Sequence, residues 1–505
     1  MKIFDVQNIR KADLFTIENE PVSSISLMER AAHNCAEWIF EKCKNHTKFT
    51  IFCGNGNNGG DGFAIARMLY MKGFDVDVFI NKENEKFSDD TFINFKRVKE
   101  IPGISVFDFS EIKSYHFNEK TIIIDALFGT GLSGKIEGAY QKIIEDLNEI
   151  KVSKISIDIP SGMFADRLNG KSDTIFKADF TLTFQFWKKA FLHPETGRFA
   201  GKVSVLDINL NKEFTDKTQT NYFTIDDEII LKIFKPRNEF SHKGNHGKAV
   251  IVGGSYGKIG AVVLATKSAL KTGSGLTFSV APSCGYIILQ TSLPEAMFIE
   301  GGEKSISNIE KVENTVFGIG PGLGTENLTE NALIQFLKNQ NEPVVLDADA
   351  LNIVSKNSDY LNLIPENSII TPHPKEFERL FGRTENSFER LDLAKLKAEE
   401  LQIYIVLKDH HTQVITPEGN IFYNITGNSG LAKGGSGDIL TGMITSLLAQ
   451  KYSSEEAVIL GVWLHGKAAD FAAEKYSKEA MQPTDVINEI GNVFLQLNKK
   501  ATTEL

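Results

Sequence analysis

The sequence predicts two successive α/β domains, each built on an open, mostly parallel sheet covered on both faces. Two observations predict this. Short, near-continuously apolar runs rich in β-branched residues recur along the chain, and each is closed by a glycine turn or a polar segment. Segments with apolar residues at helical spacing lie between several of them, the alternation of a βαβ fold. At 505 residues the chain is long enough for two such domains.

The elements follow in order. Residues 23–44 have helical spacing, and Phe49–Cys53 reads as a strand. A glycine-rich turn and a helix through Ala64–Met71 lead to the strand Val76–Ile80, completing a βαβ unit. The runs at 121–128, 154–160 and 180–184 read as further buried strands. The stretch 211–221, NKEFTDKTQTN, is polar and charged and is the linker candidate. It separates a domain at 1–213 from one at 222–505. In the second domain, KAVIVGG (248–254) is a strand entering a glycine turn, and 260–273 is a helix. Strands follow in LTFSVAP, NTVFGIGPG, EPVVLDADAL, SIITPHP and IYIVLK, with helices at 331–338 and 391–401. No repeat or low-complexity tract is present.

Composition narrows the function classes. A formal net charge of −10 opposes an extended nucleic-acid interface, so any phosphate must be held by local devices such as backbone amides and single lysines. The four cysteines, Cys35, Cys43, Cys53 and Cys284, form no C-x-x-C pair, which argues against a zinc site and for a reducing compartment. The amino terminus lacks a signal-peptide core, and no run of about 18 apolar residues exists to span a membrane. A cytoplasmic protein is expected.

Three glycine-rich turns carry the chemistry. Gly54-Asn55-Gly56-Asn57-Asn58-Gly59 fits G-x-G-x-x-G between a strand and a helix, yet the acidic ribose ligand is missing, because the next strand ends in Ile80-Asn81. Gly129-Thr130-Gly131-Leu132-Ser133-Gly134-Lys135 nearly matches a P-loop, but Ile136 replaces the hydroxyl residue that holds magnesium. Asp125 and Asp158 fall near strand ends, the edge where open sheets bind ligands. The third turn, Gly434-Gly435-Ser436-Gly437-Asp438, runs into an apolar helix. Consecutive glycines there expose unpaired amides and the positive end of the helix dipole to an anion, and Asp438 is placed to act as a general base or as a cap. Converging on it are Gly320–Gly324, Asp347–Asn352, His373 between two prolines, and Lys408 at a strand end.

The first half, through LMERAA (27–32), GNGNNGGDG (54–62), DALFGTGLSG (125–134) and DIPSGM (158–163), resembles the NAD(P)H-hydrate epimerase family, whose fold is a Rossmann-like three-layer sandwich. The resemblance implies contacts to the hydrated dinucleotides NADHX and NADPHX from Asn57, Asn58, Gly59, Gly60, Asp61, Gly129, Thr130, Gly131, Leu132, Ser133, Gly134, Lys135 and Asp158. It also implies a potassium (K+) site at Asn58, Asp125 and Ser161. Asp158 is the candidate acid–base group for inversion at C6. The second half, through HKGNHGKAVIVGGSYGKIGA (242–261), GPGLG, DADALN, TPHPKEFERLFG, Lys408–Thr412 and GGSGD, resembles the ADP-dependent NAD(P)H-hydrate dehydratases, which are ribokinase-like. That resemblance implies hydrate contacts from Ala261, Gly322, His373 and Asp438. It places the adenine nucleotide on Lys408, Asp409, His410, His411, Thr412 and Gly437, with ADP as phosphoryl donor and Mg2+ neutralising its charge. A homo-oligomer is expected.

The chain departs from these patterns at Trp187, where proline usually precedes the lysine, and at DINLN (207–211). Asp409 stands where glycine usually follows the lysine, and Lys433, in place of threonine, is the candidate to offset it. Two rival readings are a ribokinase-like small-molecule kinase, which would need ATP and release a stable ester, and a non-enzymatic nucleotide-binding scaffold.

Overall fold

A computed structural model describes residues 1–43, 48–83 and 86–503. Lys44, the last residue of the helix read at 23–44, lies outside them. The chain divides into two units, residues 2–220 and residues 221–505 with Met1.

The first unit is a parallel sheet of β1 (Lys48–Cys53), β2 (Asp75–Ile80), β3 (Ser105–Asp108), β4 (Thr121–Ala126), β5 (Ser153–Ile157), β6 (Phe180–Phe184) and β7 (Lys202–Leu206). Their spatial order is β3-β2-β1-β4-β5-β6-β7. Burial on both faces explains the continuous apolar runs. Phe49, Ile51 and Cys53 of β1 enter one core with the helices Ser24–Lys42, Asn57–Met71 and Asp89–Lys99. Phe52 of the same strand enters the other core, with Ile143, Ile144 and Leu147 of the helix Gly138–Glu149. This is a doubly wound, Rossmann-like sandwich. Its order reverses between β1 and β4, so the crevice falls between the loops that follow those two strands.

The stretch read as a linker is folded. Asn211 caps the helix Lys212–Lys217, whose Phe214 packs tilted against Phe15 at 5.7 Å and edge-on to Phe4 at 6.3 Å. The polar composition hid this single aromatic anchor, and the division falls at 220/221, at the far end of the stretch.

The second unit holds β8 (Tyr222–Ile225), β9 (Lys248–Val252), β10 (Leu276–Ala281), β11 (Met297–Glu300), β12 (Val316–Ile319), β13 (Val345–Leu346), β14 (Ile369–Ile370), β15 (Tyr404–Leu407), β16 (Gln413–Ile415) and β17 (Ile421–Asn424). Their order is β11-β10-β9-β12-β13-β14-β15-β16-β17-β8. The pairings are parallel except that β16 runs antiparallel to β15 and β17. The apolar helix Ser436–Ala449 packs into the main core with Ser454–Ala480. Again the order reverses, here between β9 and β12, which puts the Gly253–Gly260 and Gly320–Gly324 loops side by side. A β-carbon on Gly322 would sit 3.0 Å from Ala261 Cβ, so Gly322 and Ala261 meet at this switch point.

Candidate active sites

In the first unit the carboxyl ends of β1, β4 and β5 frame a cavity of about 150 Å³. Asn57, Asp61, Thr130 and Asp158 line it, together with Asp13, Gln185 and Lys188. Asp158 follows β5 directly with a left-handed φ of 63°, a conformation that aims its carboxylate away from the strand. Lys188, only 1% exposed, donates to Asp158 Oδ1 at 2.7 Å, to Thr183 Oγ1 at 2.6 Å and to the Phe184 carbonyl at 3.2 Å. The Thr130 amide points at Asp158 Oδ2 at 3.4 Å.

Asp125 is fully buried. Its Oδ1 accepts from Ser161 Oγ at 2.5 Å, and its Oδ2 accepts from the Ser161 amide and Ser156 Oγ, both at 2.8 Å. Burial pushes the carboxyl above its usual range against these donors. Asn58 is also buried, and neither its amide oxygen nor its amide nitrogen has a hydrogen-bond partner. A buried amide left unpaired costs free energy unless a ligand completes it.

The glycine turn at 54–59 serves packing as well as binding. A β-carbon on Gly59 would overlap the Gly54 carbonyl at 1.8 Å. The 129–135 loop does not open a helix as a P-loop does, since the next helix begins at Gly138. Gly131, Ser133, Gly134 and Lys135 are exposed beyond Thr130, Leu132 packs into the adjacent core, and Ile136 is buried. Arg167 donates to the Ser133 carbonyl at 2.9 Å and Arg10 to the Gly131 carbonyl at 3.5 Å. The sequence reading missed Asp13 and Lys188. The signal for Lys188 was a lysine embedded in the apolar run FQFWKKAFL. The departure at 207–211 reaches the site, because Ile208 and Leu210 form part of the cavity wall.

In the second unit a cavity of about 720 Å³ runs from His373 and Lys408–Thr412 past Thr426 to the Gly434–Gly437 turn. Leu431, Leu440 and Val462 give it an apolar wall. The helix starts at Ser436, and its N-cap is Gly435 at φ 100° with no side-chain cap bond. The first-turn amides are therefore open to an anion.

Asp438 is not the cap. Its carboxylate makes no hydrogen bond among the described residues. Burial, then the charge of Asp347, push its carboxyl up to about 6, while Lys408 opposes them. Asp347 is 1% exposed and binds Lys408 Nζ at 2.7 Å through Oδ1 and Thr441 Oγ1 at 2.8 Å through Oδ2. Burial alone would raise the Asp347 carboxyl, but the Lys408 charge and the Lys408 and Thr441 hydrogen bonds hold it below its usual value. Both groups abut the turn: a β-carbon on Gly437 would lie 3.4 Å from Lys408 Nζ and 3.5 Å from Asp347 Oδ2. Asp349, the third carboxylate here, accepts from the Gly324 amide at 2.9 Å, and its charge also raises the Asp438 carboxyl.

His373 caps the helix Pro374–Phe381. Its Nδ1 accepts from the Lys375 amide at 3.1 Å, which leaves Nε2 as the protonated nitrogen, and burial holds its pKa below normal. Asp409 lines the cavity, but its charge is met by Arg390 at 3.3 Å. Lys433 does not offset it. That ammonium donates to the carbonyls of Glu479 and Met481, both at 2.6 Å, where a helix ends. The counter-charge is Arg390, which arrives from the separate helix Ser387–Leu401. Exposed His410 packs edge-on to His411, whose Nδ1 meets the Asn424 carbonyl at 3.1 Å. His465 was also missed. Its Nε2 is buried beside the cavity without a partner, and burial lowers its pKa to about 4.

Together these features define a two-site α/β enzyme: a doubly wound unit with a carboxylate-lined crevice, and a unit with a large cavity at an uncapped helix amino terminus. The profile described as NAD(P)H-hydrate dehydratase matches residues 249–492, and that of the YjeF-related protein N-terminus matches residues 24–190. The chain is 32% identical to the bifunctional NAD(P)H-hydrate repair enzyme of Thermofilum pendens, over 99% of this chain and 97% of that one. It is 30% identical to the Escherichia coli enzyme of the same name, over 97% and 93% respectively. The second unit is similar to a crystal structure of the ADP/ATP-dependent NAD(P)H-hydrate dehydratase from Bacillus subtilis with ATP and Mg2+. The identity is 30% and the TM-score 0.50, covering 55% of this chain and all of that one. The chain belongs to the bifunctional NAD(P)H-hydrate repair enzyme family, which joins an epimerase and a dehydratase in one polypeptide.

Proposed function

We propose that Asp438 is the general base that turns the C6 hydroxyl of the S hydrate into a phosphoryl acceptor, with ADP as donor. The observation that carries this is a carboxyl free of hydrogen bonds, poised at about 6, in the first turn of a helix whose amides are uncapped. Lys408–Thr412 and Gly437, which line this cavity, would hold ADP. Asp438 takes the hydroxyl proton, the oxygen attacks the terminal phosphorus, and AMP departs. Hydroxide is a poor leaving group and phosphate a good one. The ring nitrogen then expels phosphate from C6, and loss of a C5 proton restores the dihydronicotinamide. Lys408 and the open amides hold the transferring charge. Among the described residues no cluster of His, Cys, Asp and Glu could cage a metal, so Mg2+ fits here as a partner of the nucleotide phosphates, where it supplies charge neutralisation. Ala261, Gly322 and His373 hold the hydrate.

In the first unit, Asp158 is the acid–base group at C6 of the hydrate, with Asn57–Asp61 and Gly129–Lys135 as the binding loops. The buried Asn58 amide oxygen has no hydrogen-bond partner, and with the oxygens of Asp125 and Ser161 it is of the chemistry that would suit K+, whose charge would steady the loops around the dinucleotide. Four free cysteines, three of them buried, fit a cytoplasmic location.

The test follows phosphorus and AMP during turnover of the S hydrate. One AMP and one phosphate per dihydronicotinamide formed is the expected result. Accumulation of a stable phosphorylated product would sink the reading in favour of a kinase.

A further inference from the structure

Asp13 enters the epimerase cavity from an element that carries none of the binding loops. Three carboxyls meet there from three elements: Asp13 from the helix Val6–Asn19, Asp61 from the helix Asn57–Met71, and Asp158 after β5. Lys188, the single ammonium lining this cavity among the described residues, is bonded to Asp158. Neither Asp13 nor Asp61 has a hydrogen-bond partner among the described residues, although Asp61 is only 8% exposed. Ile9, Leu27, Met28, Phe186, Ile208 and Leu210 make up much of the remaining wall. A carboxyl in that setting, without a donor and facing another carboxylate, is disfavoured as an anion.

Resting on the epimerase reading, we propose that Asp13 is a second catalytic acid–base residue of this site, working with Asp158 on the C6 oxygen of the hydrated nicotinamide. Inversion needs a proton delivered on one face of C6 and another removed on the opposite face, so two groups on separate walls are required. Asp13, as the acid, gives its proton to the C6 hydroxyl. The C6–O bond breaks, water leaves, and the N1 lone pair forms N1=C6. Water then adds to the other face, Asp158 takes a proton as the new C6–O bond forms, and the N1=C6 pair returns to N1. One water is lost and one gained, and the proton passed from Asp13 to Asp158 is restored through solvent. The charge pattern supports this division. Burial first, and the Asp158 charge second, raise the Asp13 carboxyl to about 7 although Lys188 pulls it down. Asp61 is raised as well, by burial and then by Asp158, Asp13 and Glu29. Glu29 itself is engaged by Arg67 and Arg97.

The experiment uses the full chain and the pure R hydrate, following interconversion across pH, with thermal unfolding followed by circular dichroism as the control for folding and dehydration of the S hydrate as the control for the second unit. In the unsubstituted chain the epimerase kcat/KM should fall as pH rises through about 7. Asp13→Asn should lose about 100-fold or more and with it the alkaline limb, while dehydration persists. Asp13→Glu should retain part of the rate with the limb displaced, and it decides the matter if Asp13→Asn does not fold. Unchanged rate and profile in Asp13→Asn, or an undisplaced limb in Asp13→Glu, would overturn the proposal while leaving the epimerase intact. Failure of the unsubstituted chain to interconvert the hydrates faster than buffer would instead remove the reading on which it rests.

Discussion

At the scale of single residues, the two sites solve opposite problems with the same side chain. Asp438 must be an anion to accept a proton, and its carboxyl sits at about 6. Dehydratase kcat/KM should therefore fall as pH drops below about 6, because protonation removes the base. The epimerase should lose rate in the other direction, as Asp13 ionises. One preparation assayed for both reactions across pH should show limbs of opposite sign, and parallel profiles would count against both assignments. Asp438→Asn should lower dehydration by about 100-fold or more and leave epimerisation unchanged. Lys408 carries a double load, since it faces the nucleotide and neutralises buried Asp347. Lys408→Met leaves that carboxylate unpaired and should destabilise the second unit by about 3–5 kcal/mol, readable by denaturant titration.

At the scale of elements, the sites depend on close approach. Gly442 lies in the helix that begins with the phosphate turn, and a β-carbon there would meet the Ala265 carbonyl at 2.0 Å and Ser268 Oγ at 2.1 Å on the helix Ile259–Thr272. Gly442→Ala should force these helices apart, costing about 1–3 kcal/mol and displacing Asp438, so that both stability and dehydratase rate fall. Loss of stability alone would show that the turn is positioned from the sheet side.

The same scale explains what the sequence could disclose. Strands covered on both faces, such as β1, β4 and β6, announce themselves as apolar runs. Edge strands such as β3, β7 and β11 are half exposed and carry no such signature. Helix Val6–Asn19 buries only Ile9, Ala12 and Thr16, so its periodicity was too weak to register, and Asp13 went unread with it. The glycine turns were legible because their backbone demands are local. The Asp158–Lys188 and Asp409–Arg390 pairs were not, since folding brings together residues that no short motif joins.

At the scale of the molecule, the chain divides into two units, each built on its own sheet, and each activity is expected to depend on its own sheet. Gly59→Ala should disrupt the first unit through the overlap with the Gly54 carbonyl, abolishing epimerisation while the second unit still dehydrates the S hydrate. Composition meets its limit at this scale too: eleven largely polar residues contained Phe214, and one aromatic side chain was enough to fold the segment onto its unit.

The most direct measurement supplies a mixture of R and S hydrates with excess ADP and follows recovery of dihydronicotinamide absorbance. Complete recovery is expected, the S form directly and the R form after inversion. Recovery of the S fraction alone would contradict the epimerase half, and no recovery with either ADP or ATP would contradict both assignments at once.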